Sequence, residues 1–126
     1  MRTIGLAFCL LAAAPASAAT PAEILKGLEA PGSARFSAQR GERFFKTRHG
    51  SDWSCASCHT ENPLGQGRHA KTGKKIAPLA PGANPERFTD AARAEKWFRR
   101  NCNDVLGRTC SAQEKGDVLE YLMSLR

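Results

Sequence analysis

The chain has 126 residues, of which 19 are Lys or Arg and 12 are Asp or Glu, so its formal net charge is +7 at pH 7. This length suits one domain, and a basic charge balance favours an acidic partner or an anionic surface. The longest apolar run, Ile4 to Ala14, is too short to span a bilayer, which needs about 20 apolar residues. We therefore expect no membrane-spanning segment.

The first 18 residues have the features of a secretory signal peptide. Arg2 provides a positive start, the apolar run follows it, and Ala16-Ser17-Ala18 is a small-residue cleavage site. The sequence thus predicts a cleaved signal peptide over 1–18 and a single domain over 19–126. An exported protein of this kind is expected in the periplasm, without nucleic acid as a partner.

Two helices are predicted in the first half of the chain. Residues 20–30 form a short amphipathic helix with Pro21 in its first turn. Residues 37–48 form the second helix, for which Ser37 is the candidate N-cap. Gly41 inside that helix costs about 1 kcal/mol relative to alanine, so a close helix crossing is the expected reason for it.

The segment Cys55-Ala56-Ser57-Cys58-His59 is a C-x-x-C-H motif, the attachment pattern of c-type haem. Two thiols three positions apart lie on one turn of chain, where both can form thioethers to one porphyrin. The next residue, His59, can then supply an imidazole nitrogen as the proximal iron ligand. The motif predicts one covalent haem c, attached through Cys55 and Cys58.

Two other sites would use the same thiols. A four-cysteine zinc site would leave His59 unexplained, and a thioredoxin-like C-x-x-C needs a βαβ context that the sequence does not predict. Cys9 leaves with the signal peptide, so two further cysteines remain. Because unpaired thiols are uncommon in oxidising compartments, Cys102 and Cys110 are expected to form a disulfide if haem takes the first pair.

Residues 60–86 are rich in glycine and proline and are predicted to be mostly loop. Ile76, Pro78 and Leu79 are candidate haem contacts in this segment. The loop also contains a cluster of basic side chains, which is either a solvated surface or a docking surface: Arg68, Lys71, Lys74 and Lys75.

Two more helices are predicted near the C-terminus. Residues 89–100 form a helix with Thr89 or Asp90 as N-cap, followed by a tight loop from Cys102 to Cys110. The last helix begins with the capping box formed by Ser111 and Glu114. In the first of these helices three side chains share one face by their spacing of three and four: Trp97, Phe98 and Asn101.

The chain resembles the class I c-type cytochromes, whose all-α fold crosses N- and C-terminal helices beside a covalently bound haem. Gly41 and Phe45 match the glycine and the aromatic residue of the family's N-terminal helix, and 117–122 resembles the C-terminal one. Pro78 resembles the proline whose carbonyl accepts a hydrogen bond from the proximal imidazole. The methionine ligand usual in these proteins is missing, because Met123 lies inside the last helix and is expected to pack there.

Four segments, 72–81, 85–90, 95–97 and 100–103, resemble the sphaeroides haem protein family. That resemblance implies a high-spin haem whose distal ligand, Asn101, leaves on reduction and opens a site for oxygen, nitric oxide or carbon monoxide. It also implies a disulfide beside that ligand, between Cys102 and Cys110. The partners implied are a dihaem c-type cytochrome and a membrane b-type cytochrome.

The residues alone leave alternatives open for the distal side. In the first alternative, Asn101 only caps the end of the helix. In the second, His69 or Lys71 is the sixth ligand of the iron. Trp97 is expected to contact the haem.

We expect a monomeric electron carrier that binds a diatomic gas. The alternatives are a redox enzyme, either a terminal oxygen reductase or a nitric oxide dioxygenase, and a non-catalytic gas sensor. An enzyme would place acid–base groups near the gas, and His49 and His69 are candidates only by residue type.

Overall fold

The computed structural model describes residues 17–126, so the predicted signal peptide lies outside the described residues except for Ser17 and Ala18. None of the described helices is long and apolar enough to cross a membrane. Short antiparallel strands β1 and β2, at Gly67–Arg68 and Lys75–Ile76, form one hairpin. The described residues otherwise form five helices, which are α1 (Pro21–Gly27), α2 (Ala38–Lys46), α3 (Cys55–His59), α4 (Ala91–Leu106) and α5 (Ala112–Ser124).

Side-chain caps set where the helices begin, as the sequence indicates. The Ser37 hydroxyl accepts a hydrogen bond from the Arg40 amide and caps α2. Ser111 and Glu114 form the predicted capping box of α5, in which each side chain bonds the backbone amide of the other. Each cap satisfies amide groups that have no partner inside the helix. The predicted starts of α2 and α5 are therefore confirmed.

Helix α4 begins where predicted but ends later. Asp90 is the N-cap and accepts a hydrogen bond from the Arg93 amide. The helix continues to Leu106 and ends at Gly107, whose φ of 69° is the left-handed conformation that glycine adopts readily. The predicted tight loop from Cys102 is wrong, because the glycine that stops the helix comes five residues after that cysteine.

The most extensive helix contact is the crossing of α2 and α5, and it depends on Gly41. A β-carbon at this position would overlap the backbone carbonyl group of Asp117. The two helix backbones therefore touch directly, which only a residue without a side chain allows. The predicted packing reason for this glycine is confirmed.

A buried carboxylate locks the same crossing. Asp117 is 5% exposed and accepts hydrogen bonds from the Ser37 amide (2.7 Å) and from two Arg40 nitrogens (2.8 Å each). The Gln113 side chain adds a fourth bond at 3.1 Å. A buried charge is expensive unless it is paired and hydrogen-bonded, and here both oxygens of the carboxylate have partners.

The hydrophobic core joins the crossing to the haem motif. Phe45 from α2 is 1% exposed, and its ring lies 5.6 Å from the ring of Tyr121 and 6.3 Å from that of His59. The cluster also includes one α3 residue and two from α5, which are Ala56, Val118 and Leu122. The all-α fold predicted from the sequence is present, and its helix crossing adjoins the C-x-x-C-H segment.

We expect Gly41→Ala to destabilise the protein by about 1–3 kcal/mol, the usual effect of overpacking, because the new methyl group meets backbone that cannot rotate away. Gly27→Ala is the matched control, since a β-carbon there meets nothing within 4 Å. Urea unfolding of the mature holoprotein measures both free energies. A Gly41→Ala protein as stable as the control would show that the crossing does not depend on close backbone contact.

Candidate haem site

Helix α3 holds the two thiols and the imidazole of the motif on a single short turn. Its N-cap is Ser54, whose backbone amide donates a 2.9 Å hydrogen bond to the Ser57 hydroxyl. Cys55 and Cys58 are free thiols, and both are half-buried. The turn therefore presents two thiols that are not in a disulfide and then the imidazole of His59, in the order that thioether attachment and axial ligation require.

The imidazole of His59 has an unsatisfied polar atom. Its Nδ1 is buried and has no hydrogen-bond partner among the described residues. Burial, and secondarily the nearby charge of Arg87, lower the pKa of His59 to about 4. The imidazole is therefore neutral at physiological pH, the form that binds a metal ion.

The cysteines do not suit the two rival sites. Burial raises the pKa of Cys55 to about 11, so the thiolate needed for thiol exchange is disfavoured. Cys102 and Cys110 are joined in a disulfide, and the described residues contain no group of three or more potential metal ligands. The sheet in the described part of the chain is a hairpin rather than a βαβ unit.

The residue that follows His59 is conformationally strained. Thr60 has φ 68° and ψ 162°, a region that β-branched residues avoid and that costs roughly 1–3 kcal/mol. Its hydroxyl donates a 2.6 Å hydrogen bond to the carbonyl of Asn62. This bond fixes the sharp exit of the chain from α3 directly beside the candidate iron ligand.

The predicted hydrogen bond between His59 and Pro78 is not formed. The Pro78 carbonyl instead accepts hydrogen bonds from Arg87 Nε (2.9 Å) and Asn84 Nδ2 (3.2 Å). A carbonyl oxygen has two lone pairs, and these two donors occupy both. Arg87 also donates to the Ala77 carbonyl at 2.8 Å. Sequence reasoning missed Arg87 because its partners are backbone groups about ten residues away.

The two histidines outside the motif are engaged in local structure. His49 Nε2 lies 2.8 Å from the Phe44 carbonyl, and the two rings are 4.3 Å apart. His69 Nδ1 accepts hydrogen bonds from the amides of Lys71 and Thr72, both at 3.2 Å. These contacts do not indicate an acid–base role for either histidine.

The distal candidates lie on α4. Asn101 is half-buried, and its side chain forms no hydrogen bond with any described residue. It lies five residues before Leu106, so it does not cap the helix end and that alternative is wrong. The next residue, Cys102, is buried and is bonded to Cys110, with 5.7 Å between the α-carbons.

Trp97 occupies the same helix one turn earlier and is 43% exposed. The Arg100 guanidinium lies 5.1 Å from its ring centroid, and the Lys96 ammonium lies 5.9 Å from it. The large apolar side chain is thus flanked by two cations. Its expected contact with haem stays a prediction.

Residues 31–122 match a domain family described as a domain of unknown function, DUF1924. The chain is 44% identical over 125 residues to the cytochrome c-type protein SHP of Cereibacter sphaeroides, covering 96% of each protein. The chain therefore belongs to the sphaeroides haem protein family. The solved structure of oxidised SHP, described as an oxygen-binding cytochrome c, matches with a TM-score of 0.76 and 46% identity over 83% of this chain and 96% of that one.

Cytochrome c'' of Methylophilus methylotrophus is a second relative, 49% identical over 82 residues that cover 65% of this chain and 57% of that protein. Both relatives are c-type cytochromes, and this chain is one also. The predicted family and fold are confirmed. The C-x-x-C-H segment fits covalent haem, because α3 offers two cysteines outside any disulfide and a neutral imidazole whose buried Nδ1 has no described hydrogen-bond partner.

We predict that replacing both Cys55 and Cys58 with serine abolishes covalent haem, and that either single replacement leaves at most one thioether. The variants are expressed with a cytochrome c maturation system and separated on a denaturing gel stained for haem. Haem that stayed bound to the double variant under denaturing conditions would refute the attachment site.

We predict that replacing Cys102 and Cys110 with serine lowers the free energy of unfolding by about 2–3 kcal/mol, the chain-entropy value for so short a loop. Urea unfolding of the two proteins gives the difference. Alkylation without reductant is the control, and two freely modified thiols at these positions in the wild-type protein would contradict the disulfide.

Proposed function

We propose that the protein is an exported, monohaem electron carrier whose distal ligand is Asn101, and that this ligand leaves when the iron is reduced. Cys55 and Cys58 would attach the haem, and His59 would be the proximal ligand. The observation that carries the proposal is the free amide of Asn101, which is half-buried in the middle of α4 with no described hydrogen-bond partner.

A bound haem supplies one-electron redox chemistry and an iron able to take up a diatomic gas. The chain's contribution is to hold the ligands. Phe45 packs 6.3 Å from the His59 ring, and the strained Thr60 fixes the backbone after it. The neutral imidazole and the rigid turn support His59 as a ligand that stays in place in both oxidation states.

The Asn101 side chain has the chemistry of a ligand that can leave the iron. An amide oxygen is a hard, neutral and weak-field donor, so it favours ferric iron and leaves it high-spin. Ferrous iron is softer and holds such an oxygen poorly. The side that the amide leaves can then admit oxygen, nitric oxide or carbon monoxide, which agrees with the description of the solved relative as an oxygen-binding cytochrome c.

We favour an electron carrier over the redox enzyme and over the gas sensor. A reductase or dioxygenase needs a proton donor or acceptor near the gas, and the described contacts of His49 and His69 are to backbone groups. We also propose that the protein is located in the periplasm. Its proposed redox partners are a dihaem c-type cytochrome and a membrane b-type cytochrome.

Asn101→Ala tests the ligand. We expect a high-spin spectrum from the wild-type protein in both oxidation states, a changed ferric spectrum in the variant, and little change in the ferrous one. Absorption and resonance Raman spectra of the purified holoproteins give this comparison.

Asn103→Ala is the matched control, because Asn103 is an exposed asparagine two residues further along the same helix. It should leave both spectra unchanged. A low-spin wild-type protein would instead favour a strong-field ligand such as His69 or Lys71. A ferric spectrum that Asn101→Ala does not alter would remove this residue from the iron.

A further inference from the structure

We propose that residues 67–76, named here the basic hairpin, are the docking surface for an acidic face of a redox protein that exchanges electrons with the haem. The inference rests on the proposed function and adds to it a surface and the chemistry of its partner. Three observations support it. The positive charge of the hairpin is unpaired, the hairpin packs against the C-x-x-C-H motif, and internal hydrogen bonds hold it in place.

The charge of the basic hairpin is not neutralised locally. No aspartate or glutamate occurs between residues 62 and 85. The four basic side chains of the segment are exposed, and none of them forms an ion pair with a described residue: Arg68, Lys71, Lys74 and Lys75. Several other cations are paired with carboxylates, including Arg40, Lys46, Arg108 and Lys115. The hairpin is therefore a concentrated patch of positive potential.

The hairpin packs directly against the C-x-x-C-H turn. The Ala70 amide donates a 3.2 Å hydrogen bond to Cys58 Sγ, and Gly67 passes so close to the Cys58 carbonyl that a β-carbon would overlap it. The ring of His69 lies 6.4 Å from that of Trp53, two residues before Cys55. A partner bound to this patch would thus lie next to the residues that attach the haem.

Hydrogen bonds inside the hairpin hold its charges in place. The Arg68 guanidinium donates to the Gly73 carbonyl at 2.8 Å, and Gly73 has φ 71°, a turn conformation suited to glycine. The His69 amide donates to the Lys74 carbonyl at 2.8 Å, and the Gly73 amide donates to the His69 carbonyl at 2.9 Å. An ordered patch loses less conformational entropy on binding than a flexible loop of equal charge.

An acidic protein fits this surface better than an anionic membrane. A membrane-binding segment combines basic residues with large apolar side chains that enter the lipid. Among the described residues Trp97 is the exposed large hydrophobic side chain, and it lies on α4 rather than on the hairpin. Charge without an apolar anchor instead steers the approach of an acidic partner and raises its association rate by 10- to 1,000-fold.

The test compares two charge-reversed variants of the mature holoprotein. Lys71→Glu with Lys74→Glu alters the tip of the hairpin, where the side chains make no described contact. Lys26→Glu with Arg35→Glu is the control, since it changes the net charge equally at exposed positions on α1 and on the segment before α2. Stopped-flow absorbance measures reduction by flavodoxin hydroquinone, an acidic redox protein. Laser-flash absorbance measures reduction by the neutral lumiflavin semiquinone, which the flash generates from lumiflavin and a sacrificial electron donor.

We expect the hairpin variant to be reduced by flavodoxin at least about tenfold more slowly than the wild-type protein at low salt, and the control variant far less so. The wild-type rate should fall as salt rises, because exposed charges are screened over ~10 Å at 0.1 M. Lumiflavin should reduce all three proteins at equal rates.

Equal slowing of both variants would overturn the docking surface, since net charge alone would then explain it. An unchanged flavodoxin rate with lost binding to phosphatidylglycerol vesicles would assign the patch to a membrane instead. Failure of lumiflavin to reduce even the wild-type protein would overturn the proposed function together with this inference.

Discussion

The contact of two helix backbones at Gly41 and Asp117 is the constraint on which the rest of the structure depends. One helical turn after Gly41, the Phe45 ring lies within 5.6 Å of the Tyr121 ring and 6.3 Å of the His59 ring. A wider crossing would separate these rings and loosen the turn that carries the haem motif. The buried Asp117 carboxylate and its four hydrogen bonds hold the helices in this register. Its described contacts therefore give this charge a structural role.

The surroundings of His59 combine apolar packing with one fixed positive charge. Arg87 is tied to the carbonyls of Ala77 and Pro78 and forms no ion pair with a described residue. Burial lowers its pKa, but a guanidinium stays charged at physiological pH. If His59 holds the haem iron as proposed, this nearby cation would destabilise the ferric state relative to the ferrous state and would favour reduction. The geometry also leaves His59 Nδ1 without the carbonyl partner that the class I resemblance implied.

Much of the site follows from local patterns in the sequence. The spacing of Cys55, Cys58 and His59 predicts the haem turn, and short-range caps such as Ser111 predict where helices begin. The end of α4 was missed because a disulfide cysteine suggested a loop, although Gly107 is an ordinary stop signal. The partners of the Pro78 carbonyl could not be predicted, since they depend on how a 27-residue loop folds back on itself. The two-residue strands of the hairpin are likewise too short to give a periodic pattern.

Helix α4 is fastened at its C-terminal end. The disulfide from Cys102 reaches the residue before the α5 cap, and the Ser51 hydroxyl donates a 2.8 Å hydrogen bond to the Val105 carbonyl. Asn101 can therefore change position only by rotating about its own side-chain bonds. Side-chain rotation takes picoseconds to nanoseconds, whereas helix movement takes microseconds to milliseconds. If Asn101 is the iron ligand proposed above, its departure would thus require the rotation of one side chain and no movement of the helix.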